Sequence, residues 1–155
     1  MQLGFGLVRE HGFLSSNHLV QIQAELEHNN AGYRRLPGTA LKNAQTGAVV
    51  YTPPQDHATI LDLMANLEQY LNDDTLSEAD PLVKMAVLHF QFESIHPFYD
   101  GNRRSASANG RTGRILNILY LVLKDLLDLP VLYLSRFITQ HKADYYRHWR
   151  WSKLG

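Results

Sequence analysis

Residues 96–114 read HPFYDGNRRSASANGRTGR and bring together an imidazole (His96), a carboxylate (Asp100), two Asn/Gly pairs and four arginines. Each type has a role in one kind of chemistry. Imidazole is the natural general base for drawing a proton from a hydroxyl near neutral pH, and Pro97 limits the backbone beside it. A lone carboxylate suits Mg²⁺, which fills its other positions with water and phosphate oxygens. The glycines let successive N–H groups converge, and a helix starting near Thr112 adds its own free N–H groups and positive end. Arginine contributes planar donors for phosphate oxygens. The ligand implied is a polyphosphate, and the chemistry is nucleotidyl or phosphoryl transfer. A plainer reading stands beside it, that of a basic, glycine-rich connector whose Asp pairs with Arg and whose His packs on Phe98. None of the 8 histidines forms an HExxH pair, so a metal hydrolase is a weak reading.

Such a stretch needs rigid elements on both sides. Before it, Asp80-Pro81 is a helix start, with an acceptor at the cap and proline in the first turn. The helix predicted from Leu82 to about Ser94 is apolar on more than one side, as in the centre of a bundle, and His89 within it reads as a packed or hydrogen-bonded structural histidine, with a role near the site as the alternative. After the stretch, Ile115–Leu129 reads as a second strongly apolar helix, ended by Pro130. Upstream, Ser15 or Ser16 caps a helix carrying Leu19, Ile22 and Leu26, ended by Asn29, Asn30 and Gly32, and His57–Asn72 carries Ile60, Leu61, Met64, Leu67 and Leu71 on one face. Two short runs within Leu36–Tyr51 flank a turn near Gln45–Gly47, giving a β-hairpin that Pro53-Pro54 stops. Residues 1–14 lack a period, and Gly4, Gly6 and Gly12 make a long helix there costly. A last helical region is expected over about Leu134–Trp151, its aromatic residues anchoring it to the core rather than forming, with the arginines beside them, a nucleic-acid surface.

The chain has 155 residues, 15 Lys+Arg against 15 Asp+Glu, and no cysteine. That is one domain's length, 1–155, large enough to hold a core without staples. The missing thiols exclude Cys nucleophiles, disulfides and Cys-ligated metals. The zero net charge argues against a nucleic-acid coat, no apolar run reaches membrane-spanning length, and the N-terminus has no signal-peptide pattern, so a soluble cytoplasmic chain is expected.

At this point the chain resembles the Fic family, whose pattern is HPFx[D/E]GNGRxxR. HPFYDGN (96–102) and GRTGRILN (110–117) carry the likeness, together with PGTALKN (37–43), TGAVVYTPP (46–54), LMANLEQYLN (63–72) and HFQFESIHPF (89–98), over about residues 20–145. The resemblance implies an all-α Fic-type bundle with a small hairpin flap, and a protein adenylyltransferase that moves AMP from ATP, with Mg²⁺, to a Ser, Thr or Tyr hydroxyl of a target protein. His96 resembles the base, Asp100 the Mg²⁺ ligand and Phe98 the residue that buries the loop. Gly101 and Gly110 resemble the nest glycines, Asn102 or Asn109 the motif asparagine, Arg111 the catalytic arginine on the outer phosphates and Arg114 the second arginine, with Thr112 and Gly113 between them in the nucleotide site. The flap, about Leu41–Val50, would dock an extended target segment through main-chain hydrogen bonds.

The family reads DGNGRTGR where this chain reads DGN-RRSASAN-GRTGR, seven residues longer. The extra segment fits equally well after Asn102 or before Asn109. If it bulges outward, Gly110, Arg111 and Arg114 keep their places. If Arg103 follows directly in the glycine position, the phosphate site is distorted, and the chain becomes a catalytically impaired, Fic-like protein-binding module. Many members carry an inhibitory [S/T]xxxE[G/N] helix, and no good copy occurs here, which implies a separate inhibitor or an upstream helix. No nucleic-acid or membrane partner is expected. The oligomer stays open, a lengthened loop being one route to subunit exchange.

Overall fold

The computed structural model describes residues 2–43, 45–100, 107–128 and 140–141. The helix expected over Leu134–Trp151 therefore lies almost wholly outside the described residues, as do Gly101 and Asn102.

Five α-helices and one hairpin make up the described fold: α1 (Gln2–His11), α2 (Ser16–Glu27), β1 (Leu41–Lys42), β2 (Val49–Tyr51), α3 (His57–Asn72), α4 (Pro81–Ile95) and α5 (Ala108–Leu123). This is the expected all-α bundle with a small flap. Local signals set most of the starts. Ser15 accepts from the His18 amide at 3.2 Å and its own N–H donates to His18 Nδ1, a reciprocal cap for α2. Asp56 accepts from the Thr59 amide at 2.9 Å and Asp80 from the Leu82 amide at 2.8 Å, which fixes the starts of α3 and α4. In the hairpin, Leu41 faces Tyr51 and Lys42 faces Val49, so Val50 is an extra residue that bends β2. The turn is closed by Asn43, whose Oδ1 accepts from the Gln45 and Thr46 amides.

Three expectations are corrected. Residues 2–11 form helix α1 despite their glycines. A Cβ on Gly4 would stand 2.7 Å from Leu119 Cδ1 and 3.0 Å from Ile22 Cδ1, so glycine there lets α1 close onto α5 and α2, and this packing outweighs the low propensity. Helix α5 begins at Ala108 rather than near Thr112, because Ser107 caps it. The most enclosed helix is α5, packed on α4, α1 and α2, with Leu116 and Leu119 fully buried. Helix α4 instead leaves Leu82, Val83 and Val87 exposed on one side.

One cluster of buried side chains draws on all five helices, among them Val8, Leu19, Ile60, Leu88, Phe92 and Leu116. Phe98 joins it, its ring 5.1 Å from Tyr33 and 6.2 Å from Phe92. The core therefore reaches the end of α4 and grips the chain where the polar stretch begins. Among the described residues no helix is long and apolar enough to cross a membrane.

Candidate active site

Helix α4 ends at His96, which caps it in the left-handed conformation (φ 50°, ψ 57°), its N–H donating to the Phe92 carbonyl at 3.0 Å. A β-carbon costs about 1 kcal/mol in that region. The turn reverses the chain at once, and Pro97 and Phe98 run back against Tyr33 and Arg34, with the Arg34 amide donating to the Pro97 carbonyl at 2.8 Å. Tyr99 is pinned as well: its phenol oxygen accepts from the amides of Arg35 (2.7 Å) and Leu36 (3.0 Å), and these donors hold the phenol below its usual range.

The start of α5 lies against this turn. Asn109, which is 0% exposed, clamps Phe98 from both sides: the Phe98 amide donates to Oδ1 at 2.9 Å and Nδ2 donates to the Phe98 carbonyl at 2.8 Å. The same Nδ2 donates to Asp100 Oδ1 at 3.2 Å. Asp100 Oδ1 also accepts from Ser107 Oγ at 2.5 Å, and Asp100 Oδ2 faces His96 Nε2 at 2.9 Å. Burial pushes the Asp100 carboxyl up, but the bonds from His96, Ser107 and Asn109 outweigh it and hold the group below the ordinary carboxylate range. Asp100 is thus ionised at neutral pH and can only accept, so His96 Nε2 carries a proton here. His96 is 2% exposed, and its Nδ1 is buried with no hydrogen-bond partner.

Of the residues singled out in the sequence, His96, Asp100, Asn109 and the start of α5 are brought together. Between the two candidate asparagines, Asn109 makes the Phe98 clamp. Along α5, Gly110, Arg111 and Arg114 reach the surface, whereas Thr112 and Gly113 turn inward. A Cβ on Gly113 would meet Glu93 Oε1 at 2.9 Å and His89 Cε1 at 3.2 Å, so this glycine serves the close approach of α5 to α4. Arg111 is bonded to Glu27 at the end of α2, and its Nε is buried without a partner. Arg114 lies one turn after Gly110 with its guanidinium beside that glycine.

Sequence reasoning missed Arg34, Tyr99, Ser107 and Glu27. Only Ser107 carried a local signal, a serine just before the first residue of a helix. The others act through contacts 60 or more residues away in the chain.

Asp100 fits Mg²⁺ by the chemistry of its donor set. It is a single ionised carboxylate with its side chain 41% exposed, and magnesium is held by one or two carboxylates with water and phosphate completing the octahedron. Among the described residues no group of three or more His, Asp or Glu converges as an all-protein metal cage. The half-buried start of α5, where two arginines and one glycine reach the surface, suits the phosphates of a nucleotide.

The Fic/DOC family model matches residues 13–121. Two proteins named protein adenylyltransferase fic-1 are similar: that of Caenorhabditis briggsae, 30% identical over 62% of this chain and 16% of its own length, and that of Caenorhabditis elegans, 24% identical over 96% of this chain and 26% of its own. The chain therefore spans about a quarter or less of the length of these relatives. Among solved structures, a Fic family protein from Desulfovibrio desulfuricans superposes with TM-score 0.72 at 25% identity, over 97% of this chain and 43% of that one. C. elegans Fic-1 (residues 134–508, E274G) shares the fold at TM-score 0.51 and 21% identity, over 76% and 31%. The family match covers both the α4–α5 junction and the hairpin that faces it, and the chain belongs to the Fic/DOC family.

Proposed function

We propose that the chain transfers AMP from ATP to a Ser, Thr or Tyr hydroxyl of a target protein. The observation that carries this is the network His96–Asp100–Asn109, which sets an imidazole, an ionised carboxylate and an arginine-bearing helix start against one another at the end of α4. The fic-1 relatives, named as protein adenylyltransferases, support the same reading. Gly110, Arg111 and Arg114 are the groups offered to phosphate oxygens, Asn109 holds the helix start in place, and Thr112 and Gly113 act by keeping α5 against α4.

The target hydroxyl gives its proton to His96 Nδ1, the ring nitrogen that carries none while Asp100 holds Nε2–H, the cover over this buried atom opening to admit the hydroxyl; its oxygen bonds to the α-phosphorus, and the α–β bridging bond breaks to release pyrophosphate. Charge gathers on the phosphoryl oxygens, where Arg111 and the α5 N-terminus stabilise it. Asp100 is the residue that would hold Mg²⁺, and bound Mg²⁺ supplies charge neutralisation of the phosphates. The target segment is placed along the hairpin, whose two strands pair only with each other among the described residues and so leave main-chain groups open at their outer edges. A cytoplasmic setting, where ATP is abundant, accompanies this reading.

A second reading rests on the same contacts. Arg111 is engaged by Glu27, and Asp100 by three donors, one of them Ser107 from the extra segment. A site satisfied by itself is one way to a protein-binding module without catalysis. Transfer of labelled AMP from ATP to proteins of a lysate, with His96→Ala beside the unaltered chain, separates the two. Label that needs His96 supports the enzyme, and equal absence of label from both chains favours the module.

A further inference from the structure

Arg34 is completely buried (0%), and no carboxylate pairs with it among the described residues. Two of its three guanidinium nitrogens donate to main-chain carbonyls, those of the end of α4 and of Pro54, while Nη1 is buried without a partner. Nε–H donates to the His96 carbonyl at 2.8 Å, and one terminal nitrogen donates to the Ile95 carbonyl at 3.3 Å and to the Pro54 carbonyl. With the Arg34 amide on the Pro97 carbonyl, three consecutive carbonyls, those of residues 95, 96 and 97, end on one residue. The Arg34 carbonyl in turn accepts from His57 Nδ1–H at 2.9 Å, which ties it to the start of α3.

Packing alone does not call for this. A buried cation with no carboxylate partner is costly, and an apolar side chain of similar length would fill the space. The guanidinium adds a rigid fork of donors in fixed directions, at the end of the helix where carbonyls are unpaired and the dipole is negative. His96 occupies a conformation that a non-glycine residue keeps only where its surroundings over-determine it. Holding the His96 carbonyl fixes ψ at that residue, and holding the Pro97 carbonyl fixes the peptide after it. Together they set the Cα–Cβ direction and so the line from the imidazole to Asp100. The same helix end also receives the hairpin: the Tyr51 hydroxyl donates to the Ser94 carbonyl at 3.0 Å, and Pro54, just beyond β2, is bonded to Arg34.

We propose that Arg34 is a positioning residue for His96, keeping the imidazole in its bond to Asp100 and holding the hairpin's outgoing strand in register with it. The second half rests on the reading of the hairpin as a target dock, while the first does not.

The test uses the full chain labelled with ¹⁵N-histidine, as the unaltered protein and as Arg34→Lys and Arg34→Gln. Lysine keeps the charge and loses the fork; glutamine keeps N–H donors on a shorter stem and loses the charge. Far-UV circular dichroism and thermal unfolding report folding. The ring proton shared between His96 and Asp100, assigned by its loss in His96→Gln, is expected at low field in the unaltered chain. It should be lost or exchange-broadened in both variants while they remain folded. Where AMP transfer is measurable, kcat should fall about 100-fold at unchanged KM for ATP, as for a reacting group misplaced by about 1 Å. Persistence of the ring proton in folded variants overturns the proposal. Failure of both variants to fold also overturns it, since Arg34 then belongs to the core and not to the imidazole. Absence of transfer by the unaltered chain would overturn the adenylyltransferase reading alone, because the ring proton is read without ATP.

Discussion

Asn109 holds the two sides of the site together with three hydrogen bonds, two to the main chain of Phe98 and one to Asp100. Truncation to alanine would leave a buried amide and a buried carbonyl unpaired, each costing about 1–3 kcal/mol. Asn109→Ala should therefore lower stability by about 2–4 kcal/mol in urea unfolding, with Asn102→Ala as the comparison. Equal losses would show that Asn109 is not the clamp. Nothing in the sequence separates the two asparagines, since the extra segment fits equally well after Asn102 or before Asn109. In the structure Asn109 is the one placed, fully buried and bonded to Phe98. Asp100 adds a dependence on pH. Its carboxyl is held below the unfolded value of about 3.9, so the stability it contributes is fully present above that value and is lost as the pH falls through the depressed folded pKa. Unfolding measured from pH 7 to pH 3 should show a shallower acid limb for Asp100→Asn than for the unaltered chain. Parallel limbs would mean that its three donors contribute no net stabilisation.

At the level of elements, the helices whose starts were legible carry their own caps: Ser15, Asp56 and Asp80 bond to amides two or three residues on. Of the two misread starts, that of α1 depends on partners distant in sequence, and that of α5 joins a local cap, Ser107, to a distant packing partner. Helix α1 stands because α5 and α2 receive it, and α5 takes in the motif glycines because Gly113 packs on His89 and Glu93 rather than bending a loop. Glycine spacing in a sequence does not distinguish a nest from a close helix crossing. Alanine substitution does. At Gly113 the added methyl would lie 2.9 Å from Glu93 Oε1 and 3.2 Å from His89, so Gly113→Ala should destabilise by about 1–2 kcal/mol even after the gain in helix propensity. At Gly6, inside α1, nothing lies within 4 Å of the position a Cβ would take. Gly6→Ala should raise stability by about 0.5–1 kcal/mol, read as a higher thermal midpoint. A stabilising Gly113→Ala would mean that the α4–α5 contact is looser than this geometry.

For the molecule as a whole, the consequential feature is the seven extra residues between Asp100 and Arg111. Removing residues 103–109 and removing residues 102–108 give the same chain, DGNGRTGR, so one deletion variant tests both placements of the extra segment. Its single asparagine is expected to take over the Phe98 clamp. What disappears with certainty is Ser107, and with it the cap of α5 and one of the three donors on Asp100. Loss of the cap costs about 1 kcal/mol, while shortening the connection returns a fraction of that through loop entropy, so stability should change by no more than about 1 kcal/mol. Activity should change more. With Ser107 gone, the Asp100 carboxylate has a free lone-pair direction toward solvent, and its placement beside His96 is set by His96 and the remaining asparagine. Removing a misplacement of part of an ångström is worth about tenfold in rate, so transfer of labelled AMP by the deletion variant should exceed that of the full chain by about this factor at equal ATP. A folded deletion variant with no higher transfer, in which alanine at the remaining asparagine still destabilises, would show that the extra segment leaves the site as competent as the shorter connection does.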